Sequence, residues 1–108
     1  MTVGENDFVV AIEECGELIE ALSKAMRFGL DNHHPDKPQE TNAQAILKEY
    51  YHLQEMIEQI IVGHQIGISE EHIKAIKERK RQAVKKYLQV SINEGRISQE
   101  IYYDSNTN

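Results

Sequence analysis

Glu49 and His52 stand three residues apart in KEYYHLQEMI at 48–57, and Glu14 and Glu17 stand three apart in EECGE at 13–17. On a helix, residues at that spacing are surface neighbours. Projected at about 100° per residue, Glu49 falls between Ile46 and Met56, inside an apolar stripe, and His52 falls at its flank beside Ala45 and Gln59. A carboxylate in such a stripe must be neutralised, paired or bound to a metal. Two readings of Glu49 are open at this level. One is an ion pair with a bundle neighbour such as Lys24 or Arg27. The other is a metal site in which Glu14 and Glu17 of one helix meet Glu49 and His52 of the next. An oxygen-rich set of that kind suits Mg²⁺ or Mn²⁺, and the imidazole tilts the choice toward Mn²⁺ or another transition metal. Glu13, Glu17 and Glu20 fall on the far side of their helix and Glu14 at the stripe's edge, while Lys48, Glu55 and Glu58 fall on the solvent side of theirs.

Two helices are needed to carry these groups. The first is expected over about 7–28, with Phe8, Ile12, Cys15, Ile19, Leu22 and Met26 as its inward stripe, widened by Ala11, Leu18 and Ala25, and with Gly29 as its stop. GLDNHHPDKPQETN at 29–42 holds both prolines and reads as a loop. Thr41 and Gln44 then form a capping box for a second helix that runs to about Val62. Its seam is Ile46, Tyr50, Leu53, Ile57 and Ile60, with Leu47, Met56 and Ile61 beside it; Tyr51 lies on another face. Ser69 caps a third helix with Ile73, Ile76, Ala83, Val84, Tyr87 and Leu88 inward. Residues 91–97 add a turn or short helix, and 102–108 fray. Three helices of this length leave one apolar side uncovered. The expected fold is therefore an all-α helical bundle, one domain over 1–108 with its core at about 7–97. Its first two helices form an antiparallel hairpin that another chain completes.

Composition narrows the function classes. The 108 residues include no Trp, 6 Gly and 2 Pro, which argues against sandwiches, barrels and disorder. No apolar run reaches the ~18 residues of a membrane span. The N-terminus lacks a signal-peptide pattern, and one cysteine, Cys15, gives no disulfide framework, so a soluble cytoplasmic protein is expected. Residues 1–62 hold 12 acids and 4 bases, and 63–108 hold 6 acids and 8 bases. The acidic front half argues against a nucleic-acid polymer as partner. The asymmetry serves a metal at one end and phosphates at the other, or is ordinary surface composition.

EECGE at 13–17, SKAMRFG at 23–29, a His/Pro/Asp loop, TN at 41–42 and EYYH at 49–52 form an ordered set. It resembles the MazG-like nucleotide pyrophosphohydrolases, the all-α NTP pyrophosphatases, and in particular their compact bacteriophage and prophage type. ERKRQAVKKYLQVSINEGRI at 78–97 is similar to the third helix and tail of that type, so the resemblance spans roughly 8–97. It implies a dimer or dimer of dimers, in the host cytoplasm if phage-encoded, and hydrolysis of a nucleoside triphosphate between its α and β phosphates. It implies that Glu14 and Glu17 are metal ligands, that Glu13 is a ligand or base beside them, and that Glu49 matches the Glu of the family's ExxD.

His52 stands where that family has Asp. The departure implies a weaker Mg²⁺ site, a shifted metal preference, or a protein that captures a nucleotide without hydrolysing it. Lys24 and Arg27 either hold phosphates or complement the helix dipole. Lys80, with Lys77 and Arg81, either meets phosphate or forms a solvated face. His33 and His34 either touch the nucleotide or are simply solvated. Two other classes compete: a carboxylate di-iron bundle, since Glu49 and His52 match one Glu-x-x-His element, and a purely structural helical interaction protein.

Overall fold

The computed structural model describes residues 1–98, and its helices are α1 (Val3–Phe28), α2 (Asn42–Gly63) and α3 (Glu70–Asn93). Among the described residues there is no strand, only an isolated bridge between His33 and Thr41. No helix among them is long and apolar enough to cross a membrane. The chain divides into two compact units, Met1–Gly67 and the part from Ile68 onward.

Every helix begins at a side-chain cap. Thr41 and Gln44 form the expected reciprocal box, and Ser69 accepts from the His72 amide. A further box, Thr2 with Glu5, starts α1 at Val3 rather than near Asp7, ahead of the first residue of the apolar stripe. At the other end of α1, Gly29 has φ 93°, a backbone conformation open to glycine at little cost, and its amide still reaches the Ala25 carbonyl.

In the first unit α1 and α2 pack as an antiparallel hairpin. The start of α1 meets the end of α2, where the Phe8 and His64 rings lie edge to face at 5.3 Å. At the closed end, Asn42 Nδ2 donates to the Gly29 carbonyl at 2.8 Å. The contact row on α1 is Ala11, Glu14, Leu18, Ala21 and Ala25, whose three alanines are buried. Facing it on α2 are Ile46, Glu49, Leu53, Met56 and the buried Ile60.

This corrects the expected inward stripe. Ile12, Ile19, Leu22 and Met26 are exposed, Ile19 at 67 % and Met26 at 87 %, as are Phe8 and Cys15. Helix α1 carries two rows at 4-3-4 spacing, about a quarter turn apart, and the row of small residues is the one that lets two backbones approach closely. Tyr50, Ile57 and Leu47 of α2 are likewise exposed. Both exposed rows follow their contact rows by the same rotation, and in an antiparallel pair equal rotations lead to the same side. The hairpin thus has one apolar side, with Ile12, Ile19, Met26, Tyr50 and Ile57. Its opposite, polar side carries Glu13, Glu17, Glu20, Lys48 and His52.

The 29–41 loop is held by its own hydrogen bonds. Asn42 and Ala43 amides donate to the Asn32 and Leu30 carbonyls, and Asn32 bridges from the His33 amide to the Phe28 carbonyl. Asn42 is its buried anchor. Asn42→Ala should lower stability by about 0.5–1.5 kcal/mol, since it removes a part-buried hydrogen bond and leaves the Gly29 carbonyl only the longer bond from the Asn32 amide; denaturant unfolding checks this.

In the second unit α3 buries none of its residues. Ile73, Ile76, Val84, Tyr87 and Leu88, expected inward, are exposed, and only Ala83 of that set is half-buried. Beyond α3, Gly95 at φ 75° and the Arg96 amide bonded back to the Ser91 carbonyl make 94–97 a turn rather than a further helix. Lys80 lines a shallow depression on this unit with Val84, Tyr87 and Ile97. The frayed tail expected at 102–108 lies outside the described residues.

Candidate metal centre

Glu14 sits in the middle of the α1 contact row, and Glu49 and His52 sit one turn apart on α2 opposite it. The buried Ala11 and Ala21 flank Glu14 on the same row of α1. Glu49 is the most enclosed of the three, with 14 % side-chain exposure, against 22 % for Glu14 and 54 % for His52. His52 Nδ1 lies 3.5 Å from Glu14 Oε2 and 3.4 Å from Glu49 Oε2. One donor atom from each residue falls within 4.8 Å of the other two.

The two separations from His52 are those of donors around a shared cation. Bonds of roughly 2.1 Å imply donor–donor edges of roughly 3.0 Å in an octahedron and 3.4 Å in a tetrahedron. The set is two carboxylate oxygens and one imidazole nitrogen, which suits Mn²⁺ or another borderline first-row ion better than Mg²⁺. The exposed imidazole opens the cluster toward the polar side of the hairpin.

Lys48 is a participant that the helical projection assigned to solvent. Its ammonium hydrogen-bonds Glu40 Oε2 at 2.8 Å and stands 3.8 Å from Glu49 Oε1. Lys48 thus occupies one oxygen of Glu49 while the other faces Glu14 and His52. The Glu40 hydrogen bond, followed by the charges of Glu40, Glu49 and Glu17, holds the ammonium above its ordinary pKa. The same hydrogen bond from Lys48 holds the Glu40 carboxyl below its own. The Glu40 contribution is lost as pH falls through its lowered pKa, and the Lys48 contribution as pH rises through its raised one. The clamp therefore persists across the neutral range. Only its long, flexible stem lets Lys48 act here, which no spacing rule reveals.

The other candidate residues are placed as follows. Glu17 is exposed and outside the three-residue cluster, though close enough for its charge to act on Lys48. Glu13 is exposed on the polar side. Lys24 pairs with Glu20 at 2.9 Å, and its hydrogen bond and charge lower the Glu20 pKa. Arg27 lies over the Phe28 ring, 5.0 Å from its centroid. Neither cation is the partner of Glu49, whose ion-pair neighbours are Lys48 and His52 instead. Lys80 belongs to the second unit.

At the closed end of the hairpin a cavity of about 460 Å³ is lined by Lys24, Phe28, Asn32, His33, His34 and Asn42, together with Pro35. Asn42 precedes Glu49 by seven residues, about 10 Å along α2. Comparison with family models, with curated proteins and with solved structures finds no match to this chain.

Proposed function

We propose that the protein is a metal-dependent nucleoside triphosphate pyrophosphohydrolase of the MazG-like kind, working as a homo-oligomer. The observation that carries the reading is the Glu14–Glu49–His52 cluster, with its donor spacing and its opening onto the polar side. The ordered motifs from EECGE to EYYH support the reading from the sequence side.

Glu14, Glu49 and His52 would hold the ion, which supplies neutralising charge for a triphosphate. Lys48 keeps Glu49 oriented and adds a positive charge beside it. Glu17 and Glu13 line the polar approach, where a carboxylate can accept a proton from an attacking water. Lys24 and Arg27, about two and three turns beyond Glu17 along α1, supply positive charge toward the closed end, where phosphates or the nucleoside lie. A second copy of the chain covers the apolar side: among the described residues no large side chain is fully buried, and Ile12, Ile19, Leu22 and Met26 are at least half exposed.

Pyrophosphate release from a panel of NTPs and dNTPs, with Mg²⁺ and with Mn²⁺, tests this. Release is expected with at least one nucleotide, and faster with Mn²⁺. Inertness of the folded protein across the whole panel would refute hydrolysis; tight nucleotide binding in that case would establish capture instead. His52→Asp should raise Mg²⁺-supported turnover about tenfold relative to Mn²⁺, because it replaces a neutral nitrogen with an anionic oxygen. An unchanged Mg²⁺/Mn²⁺ ratio would remove His52 from the metal's surroundings.

A further inference from the structure

We propose that the 29–41 loop reads the nucleobase, with Phe28 stacking on the ring and His33 and His34 reading its edge; this rests on the nucleotide reading above. The cavity at the closed end has a mixed lining: one aromatic ring, two imidazoles, a lysine and two amides. Its walls are set before any ligand arrives. Asn32 spends its oxygen on the His33 amide and its nitrogen on the Phe28 carbonyl, and Asn42 spends its nitrogen on Gly29. What remains for a ligand is Phe28, half exposed, the two imidazoles, and Lys24 beyond its pairing with Glu20.

The hydrogen bonds of the loop decide what each imidazole offers. His33 Nδ1 lies 2.8 Å from the His34 carbonyl oxygen, which can only accept, so Nδ1 carries the proton and Nε2 is an acceptor. His34 Nδ1 accepts from the Asp36 amide at 3.0 Å, so its proton is on Nε2, which donates. Two adjacent residues that line the same cavity thus carry one acceptor and one donor. A nucleobase edge carries the complementary pair, a ring or exocyclic N–H beside a carbonyl or ring nitrogen. Phe28, half exposed with Arg27 over one face, supplies its other face for a base to stack on. The axial offset between this cavity and Glu49 lets the phosphates of the same molecule lie toward the metal cluster.

Binding of AMP, GMP, CMP and UMP, measured calorimetrically with chelator present, isolates this site from metal and from turnover. The native protein should bind at least one of them and discriminate among the four. Phe28→Ala should weaken binding about ten- to a hundredfold for every base it accepts. His34→Gln, which keeps the loop's size, should cost about tenfold for the favoured base and flatten the discrimination. Mn²⁺ affinity of both variants should match the native value. Native protein that binds none of the four, or variants that bind and discriminate as the native does, would overturn the proposal. In the second case pyrophosphate release could still stand, so the two failures are separable. Loss of Mn²⁺ binding in Glu49→Ala with base discrimination intact supports the division of labour.

Discussion

Glu49→Ala should remove metal binding and lower metal-dependent turnover by at least a hundredfold, while the hairpin stays folded. Outer partners of metal ligands already contribute ten- to a hundredfold, and the proposed role of Glu49 is that of a direct ligand. The stability effect separates this account from a structural one. A carboxylate bound into a buried ion pair would cost about 3–5 kcal/mol on removal. Here Lys24 is engaged with Glu20, and Lys48 keeps Glu40 when Glu49 is gone. The change in the metal-free protein should therefore stay within about 1 kcal/mol. Thermal melts with and without chelator show the difference. Native protein at a metal concentration a hundredfold above Kd should gain about 2.7 kcal/mol that chelator removes, and the variant should gain none. A variant that melts far below native in chelator would return Glu49 to a structural role.

The second large effect concerns the apolar side. Ile19→Asp should weaken self-association at least a hundredfold. Ile12, Ile19, Leu22 and Met26 stand in one exposed row, and each gains about 1.5–3 kcal/mol on full burial. An aspartate in the middle of that row replaces the gain with the cost of desolvating a charge. Sedimentation of the native protein at micromolar concentration should give a dimer or larger, and the variant a smaller species with a lower melting temperature. A native protein that is monomeric at that concentration would contradict the oligomeric part of the proposal.

What the sequence disclosed follows from where its signals are unambiguous. Thr41 with Gln44, and Ser69, marked helix starts because their side chains have only one geometric use there. Glu49 drew attention because a carboxylate within an apolar stripe contradicts its surroundings, and the hairpin does enclose it beside His52. The inward face of α1 was not legible. Its alanine row and its Ile/Leu/Met row share one periodicity, and bulk pointed to the row that is exposed. Lys48 was hidden because a projection places Cβ atoms, whereas the ammonium acts from the far end of its stem. The cavity at the closed end was hidden because its walls depend on side-chain-to-backbone bonds within the loop, such as Asn42 to Gly29. The chemistry of His33 and His34 becomes readable only once those bonds are known.

If Glu14, Glu49 and His52 together hold a divalent ion, the ion should be visible between them. Anomalous diffraction from crystals soaked in Mn²⁺ tests it most directly. The account predicts a single strong peak per chain bonded to one oxygen of Glu14, to Glu49 Oε2 and to His52 Nδ1, lost in Glu49→Ala. A map without a peak there, with the three side chains still in mutual contact, would contradict it.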